Sequence, residues 1–355
     1  MTNNKLQTYK NLKVIVTGST GFKGAWLCFW LHLLNAKVVG VALKPEKDSI
    51  LFKKLLLSKK IKQIYLNINN FTKLNLIIKK EKPDIIFHLA AQSVVSESYI
   101  NPLQTITTNV IGSSNILESV RVNKIKNLVY ITSDKCYLND GRKTSYFEND
   151  ILGGEDLYSA SKACSELTFE AYYKSFLHKN KKLAFATTRA GNVVGGGDMK
   201  KDRIVPDVIK SLKNKTPLII RSPDATRPWQ HVLEPISGYL KLGELLINKK
   251  LSNSIKPNWN FGPNILNCKS VIHVVKEVID CWGEEKKINI IKSNKFKEAK
   301  LLMISSDKAK TELGWTPSLS FKETIKMTVE WYKNCFFENK VEEITRSQIE
   351  YFLRK

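Results

Sequence analysis

Two short segments carry side chains whose types and spacing suit one another chemically: Ser133-Asp134-Lys135 and Tyr158-Ser159-Ala160-Ser161-Lys162. Tyr158 and Lys162 stand four apart, so on a helix they share a face. A neighbouring ammonium is expected to lower a tyrosine hydroxyl from its usual value of about 10. The phenol oxygen can then take the proton of an alcohol while hydride leaves the carbon. Ser133 is placed to hydrogen-bond the same alcohol oxygen. Once an alcohol has become a ketone, the adjacent C–H is acidic and a hydroxyl β to the ketone can leave. That elimination needs a base and an acid, and Asp134-Lys135 supplies one ionisable group of each kind. A buried Asp134 would keep its proton and serve as the acid. Lys135 would serve as the base when neutral, a state favoured by burial and by the charge of Lys162.

Hydride chemistry requires a dinucleotide, and the chain has a place for one. Lys13-Val14-Ile15-Val16-Thr17-Gly18 reads as a strand running into Ser19-Thr20-Gly21-Phe22-Lys23-Gly24-Ala25-Trp26, the start of a helix. Glycines at this turn let the backbone approach a pyrophosphate, and the helix N-terminus offers free N–H groups. An acidic residue after the second strand would hold the ribose hydroxyls of NAD, but Val41-Ala42-Leu43-Lys44 stands there. Lys44 would suit a 2′-phosphate, so these residues leave NAD and NADP open.

The surrounding pattern explains how the two segments are held. Apolar runs at Val14–Val16, Val38–Val41, Asp84–Phe87, Leu128–Ile131 and Ala184–Thr187 alternate with helical stretches at Phe22–Leu34, Pro102–Val122 and Tyr158–Phe176. Continuous apolar strands separated by helices predict an α/β fold, a Rossmann-type doubly wound parallel sheet. Ser133 then follows a strand end, and Tyr158 and Lys162 open a helix. Beyond Arg189 the pattern becomes mixed and turn-rich, with helices expected at Ile236–Ile247, Val271–Cys281 and Thr324–Phe337. The expected organisation is a dinucleotide-binding domain over residues 1–188 and a smaller mixed α/β substrate lobe over 189–355, with some segments interleaved.

Composition narrows the class. Lys and Arg outnumber Asp and Glu by 57 to 33, a formal charge of +24. The lysines are dispersed among Asn and Ile, as at Lys53-Lys54 and Lys59-Lys60, and form no stripe interleaved with aromatics. No nucleic-acid partner is therefore expected, although such a field attracts anionic substrates. Six cysteines without CxxC or CxxH spacing point to reduced thiols in the cytoplasm, with no disulfide frame and no metal site. The longest apolar run, Ala25–Leu34, is interrupted by His32 and is too short to span a bilayer, and Met1–Lys10 carries no signal-peptide pattern, so no membrane partner is expected.

The GxxGxxG spacing, His88-Leu89-Ala90-Ala91-Gln92 after a strand, and the Tyr158/Lys162 pair resemble the extended short-chain dehydrogenase/reductase superfamily. Ile131-Thr-Ser-Asp-Lys-Cys-Tyr137, Gly153-Gly-Glu-Asp-Leu-Tyr-Ser-Ala-Ser-Lys162, Arg189-Ala-Gly-Asn-Val-Val-Gly-Gly-Gly-Asp198, Lys201-Asp-Arg-Ile-Val-Pro206 and Arg227-Pro-Trp-Gln-His-Val-Leu-Glu-Pro235 narrow this to nucleotide-sugar dehydratases. Most closely they are similar to the CDP-glucose 4,6-dehydratases. The resemblance extends to about Trp331. It implies a hydro-lyase that oxidises a sugar at C4, removes water across C5–C6 and returns the hydride to C6, in deoxysugar and surface-polysaccharide biosynthesis. It implies Ser133, Asp134, Lys135, Tyr158 and Lys162 as the catalytic set and NAD as cofactor. The cofactor would contact Gly18, Thr20, Gly21, Phe22, Lys23, Gly24, Asn67, Ile68, Leu89, Ala90, Ala91, Gln92, Asn109, Tyr158 and Lys162. Asn192, Arg203, Arg227 and His231 would meet the nucleotide sugar, and a homodimer would form through the helices at 102–122 and 158–176. Asn67 departs from the family's adenine-contacting Asp. The alternatives are a dehydratase or epimerase for another nucleotide sugar, or a non-catalytic dinucleotide sensor.

Overall fold

The computed structural model describes residues 6–178, 183–251, 256–290 and 301–355. Its centre is a sheet of seven parallel strands. Six of them are β1 (Lys13–Thr17), β2 (Lys37–Ala42), β3 (Lys62–Tyr65), β4 (Ile85–His88), β5 (Asn127–Ile131) and β6 (Ala184–Ala190). The spatial order is Asn258–Phe261, β6, β5, β4, β1, β2, β3, and every neighbouring pair is parallel. Chain order reverses between β1 and β4, the switch point at which an open α/β sheet leaves a crevice outside its strand ends.

Strand burial follows from the two covered faces. β5 is buried along its whole length and β1 along all but its first residue. The apolar periodicity left two of the seven strands unread. β3 is a polar edge strand, Lys-Gln-Ile-Tyr, with no residue fully buried. Asn258–Phe261 comes from far along the chain and adds to β6 in register Asn258 to Thr187. No helix among the described residues is long and apolar enough to cross a membrane.

The helix α1 (Phe22–Leu33) is buried over Gly24–Leu31. It lies in the larger of two major hydrophobic clusters, with Trp26, Phe29 and Trp30. The smaller one, around Ile86, Ile116, Leu128 and Tyr130, fills the other side of the sheet. Trp26 Nε1 donates to Gly196 O at 2.9 Å and Trp30 packs edge-on to Phe352 with centroids 6.0 Å apart. These contacts tie the first helix to C-terminal segments. The expected helix over 102–122 is continuous helical chain with a π-turn at Thr107–Gly112, and that over 158–176 runs Leu157–Tyr172 into a π-turn at Tyr173–Leu177.

Candidate active site

The glycine turn is constrained from both sides. Gly18 sits at φ +74°, in the left-handed region, and a Cβ there would lie 2.9 Å from Ala90 N. A Cβ on Gly24 would lie 2.0 Å from Gly18 O. The turn and the first turn of α1 are therefore as close as backbone allows, which leaves a bare cradle at a helix N-terminus, the geometry that receives a pyrophosphate. Thr17 Oγ1 accepts from Leu89 N and Ala90 N, both at 3.1 Å, and so clamps the β4 loop beside the turn. The Thr17 hydroxyl also meets His88 Nδ1 at 2.8 Å, and His88 Nε2 meets Ser113 Oγ at 2.9 Å. Burial, with Lys162 adding to it, pushes His88 down to about 3, so it is a neutral internal strut.

A cavity of about 1280 Å³ opens from this cradle. Its wall takes in Gly18, Thr20, Gly21, Phe22, Lys23, Gly24, Asn67, Ile68, Leu89, Ala90 and Ala91, and also Ser133, Asp134, Lys135, Tyr158, Lys162, Asn192, Arg203 and Arg227. Gln92 and Asn109 stand behind it. Asn109 Oδ1 accepts from Gln92 N at 2.8 Å, and its Nδ2 donates to Gln92 O at 3.0 Å and Ser161 Oγ at 2.9 Å, linking the β4 loop to the Leu157–Tyr172 helix. His231 is fully buried and outside the wall. Its two-residue strand pairs with Val193–Val194 and its ring lies edge-on to Trp26 at 6.0 Å. The sequence could not separate a wall residue from one facing inward on so short a strand.

Ser133 stands two residues past the end of β5 and caps the short 3₁₀ turn Asp134–Cys136, its Oγ accepting from Lys135 N at 3.3 Å. The same hydroxyl donates to Asp134 Oδ1 at 2.9 Å. Burial raises the Asp134 carboxyl above its ordinary value, against the opposing pull of Lys135, the Ser133 hydrogen bond and Lys23. Lys135 is half-exposed on the wall, not buried as expected, because that wall faces the cavity's solvent.

Asp156 caps the helix that presents Tyr158 and Lys162, accepting from Ser159 N at 2.9 Å. Lys162 Nζ lies 5.9 Å from the centre of the Tyr158 ring. Burial, reinforced by Lys23, pushes Lys162 down to about 8. The expectation of a lowered tyrosine is corrected here. Desolvation outweighs the nearby cations and pushes Tyr158 up to about 12, with a hydrogen bond to Ser133 and the charge of Arg203 working in the other direction.

Arg203 pairs with Asp198 at 2.7 Å and also reaches Ser93 O at 3.3 Å. Arg227 is buried in a strand opposite Cys268–Ser270 and donates to Thr226 O at 3.0 Å. Asp198 and Glu166, which pair with Arg203 and Arg189, support the site without belonging to the expected set. Glu166 stands four beyond Lys162 on the same helix face, and that spacing was the signal available for it.

The match to known proteins agrees with this arrangement. Residues 15–328 fit the family model described as GDP-mannose 4,6 dehydratase. The chain belongs to that family. Among its relatives is the CDP-glucose 4,6-dehydratase of Salmonella typhimurium, 41% identical over 92% of this chain and 91% of that protein. The dTDP-D-glucose 4,6-dehydratase of Dictyostelium discoideum is 27% identical over 91% of this chain and 82% of its own. Among solved structures, dTDP-glucose 4,6-dehydratase from Bacillus anthracis in complex with NAD superposes with a TM-score of 0.77 at 23% identity, covering 94% of this chain and 99% of that one. UDP-glucose 4-epimerase from Thermotoga maritima gives a TM-score of 0.77 at 20% identity, covering 91% and 99%. Dehydratases and epimerases of nucleotide sugars thus share the fold of this family member.

Proposed function

We propose that this protein is a hydro-lyase that converts CDP-D-glucose to CDP-4-dehydro-6-deoxy-D-glucose with NAD as cofactor. One observation carries the reading. A serine–acid pair, Ser133 and Asp134 at 2.9 Å, shares a single cavity with Tyr158, Lys162 and the glycine cradle. The identity to the Salmonella typhimurium CDP-glucose enzyme supports the substrate. The bare backbone around Gly18 and Gly24 fits a dinucleotide pyrophosphate, with Thr20, Phe22, Lys23, Asn67, Ile68 and Leu89–Ala91 as the surrounding wall. Held there, NAD would supply the acceptor for the C4 hydride and the donor that returns it to C6.

The chain's own groups handle the protons. Tyr158 takes the O4 proton, with Ser133 holding the same oxygen and Lys162 facing the phenol ring. Loss of the O4 proton and the hydride leaves a 4-ketone, which acidifies C5–H. Lys135, in its neutral form, removes the C5 proton, and Asp134, protonated in its desolvated position, gives its proton to the departing C6 hydroxyl as water. The buried Asp134 favours elimination over epimerisation, which requires no acid at C6. Asn192, Arg203 and Arg227 lie on the wall toward the C-terminal half, where guanidinium forks suit a diphosphate. We read residues 189–355 as the substrate lobe, apart from Asn258–Phe261. Apolar side chains on the helices over 102–122 and 158–176, Leu103, Ile111, Leu167 and Phe176, are exposed, which supports a homodimer through these helices. We infer a cytoplasmic reaction, which the free state of all six cysteines supports.

The test is to incubate the protein with CDP-, dTDP-, GDP- and UDP-glucose and a trace of NAD and to follow product mass. Loss of one water from CDP-glucose alone, without net accumulation of reduced cofactor, is expected. Water loss from another nucleotide sugar overturns the cytidine assignment, and no water loss from any of them overturns the elimination.

A further inference from the structure

The cavity runs past the reacting residues into the C-terminal half. There its wall is built by the first turn of the Ile204–Asn214 helix, by Ile219, Ile220 and Arg221 at the end of the Leu218–Ile220 strand, and by Trp229. Arg203 is the N-cap of that helix, and Asp207 N donates to Arg203 O at 3.0 Å. Arg203, extended at the N-cap, and Asp207, in the first turn, both border the cavity.

The buried and half-buried acids of this cavity differ in how they are satisfied. Asp198 holds Arg203 at 2.7 Å and Asp134 accepts from Ser133 at 2.9 Å. Asp156 caps its helix. Even the exposed Asp202 and Glu46 are paired, with Arg221 at 3.2 Å and Lys200 at 2.6 Å. Asp207 is half-buried, faces the cavity, and has no hydrogen bond or ion pair among the described residues. Burial pushes its carboxyl up to about 6; Lys210 and Arg221 ease this, while Asp202 and Asp198 add to it. A desolvated carboxylate without a donor is costly. It also opposes the negative charge of a diphosphate in the same cavity. Both costs are offset when the ligand brings its own N–H donor to this position.

We propose that Asp207 reads the nucleobase by accepting a hydrogen bond from the exocyclic 4-amino group of cytosine. The proposal rests on the cytidine reading given above. A carboxylate is a matched acceptor for that amine. Uracil and thymine carry a carbonyl oxygen at the same ring position, so with either base Asp207 faces another acceptor with no proton between them. A site with a partly buried polar group to satisfy disfavours a ligand that leaves it unsatisfied. Arg203 at the start of this helix and Asp207 in its first turn then serve phosphate and base respectively, and selectivity among pyrimidines resides in a single side chain.

Equilibrium binding of CDP, UDP and dTDP to the full chain, with and without Asp207→Asn, tests this. Asparagine keeps the shape, removes the charge and turns one of the two acceptor oxygens into an amide that can donate to a carbonyl. The wild-type protein is expected to prefer CDP. In D207N, CDP affinity should fall roughly ten- to a hundredfold, while UDP and dTDP hold or gain, so that the preference collapses. Dinucleotide binding by D207N should be unchanged, which separates the effect from misfolding, and Asp207→Ser should lose CDP affinity as well. A wild-type protein without preference for CDP overturns the cytidine reading and this proposal with it. A wild-type preference that D207N retains, or an equal loss of all three nucleotides, overturns the proposal alone.

Discussion

Glu166 and Arg189 meet at 2.8 Å with both side chains 3% exposed, joining the helix that carries Tyr158 and Lys162 to β6. Thr132, next to Ser133 at the end of β5, donates its hydroxyl to the same carboxylate, and Thr187 does so at 3.0 Å. Arg189 in turn donates to Tyr137 Oη at 2.7 Å, which lies just beyond Asp134-Lys135. One buried carboxylate therefore fixes both halves of the reaction centre relative to each other.

Removing that charge leaves a buried guanidinium without its counterion. Glu166→Gln should cost about 3–5 kcal/mol, read as a lower urea midpoint at constant slope. Replacing both partners with apolar residues, Glu166→Met with Arg189→Met, should recover much of the loss. An unchanged midpoint for E166Q would show that the pair contributes nothing to stability.

The two chemical roles are separable by substitution. Tyr158→Phe removes the group that takes the O4 proton and should slow the whole reaction by roughly 10²–10⁴-fold. Asp134→Asn keeps oxidation and removes the acid needed at C6. Reduced cofactor should then accumulate in the near-ultraviolet with little water loss by mass. If D134N turns over with no such accumulation, another group supplies the proton.

Lys162 sets a pH dependence whose sign follows from its direction of shift. Its folded value, about 8, lies below the ordinary 10.5. Between these values the unfolded chain binds more protons than the folded one, so this lysine makes stability rise with pH over that window. Below about 8 the cost of burying its charge is fully present. Lys162→Met should flatten the slope between pH 8 and 10 by up to about 1.4 kcal/mol per unit, measured by urea unfolding at several pH values. A parallel pair of pH curves contradicts the assignment.

Gly24→Ala puts a Cβ 2.0 Å from the Gly18 carbonyl oxygen and forces the turn away from α1. Protection of the protein by dinucleotide against thermal unfolding should disappear. Retained protection would place the pyrophosphate elsewhere.

Much of the design was legible in order along the chain. Strands buried on both faces read as apolar runs, so β1, β2, β4, β5 and β6 and the glycine turn after β1 were visible. The spacing of Tyr158 and Lys162 fixed a shared helix face, because helical geometry is local. β3 was hidden because an edge strand needs no apolar pattern, and Asn258–Phe261 because its partner β6 is distant in sequence.

Local sequence thus determined which groups the protein has and which of them share an element. Only the tertiary structure decided their surroundings. Burial raised Tyr158 where the sequence implied a lowered value, left Lys135 half-exposed, enclosed His231 away from the cavity and left Asp207 facing it without a partner. The physical reason is that desolvation depends on what packs around a group from every side, and most of those neighbours come from elements far away along the chain.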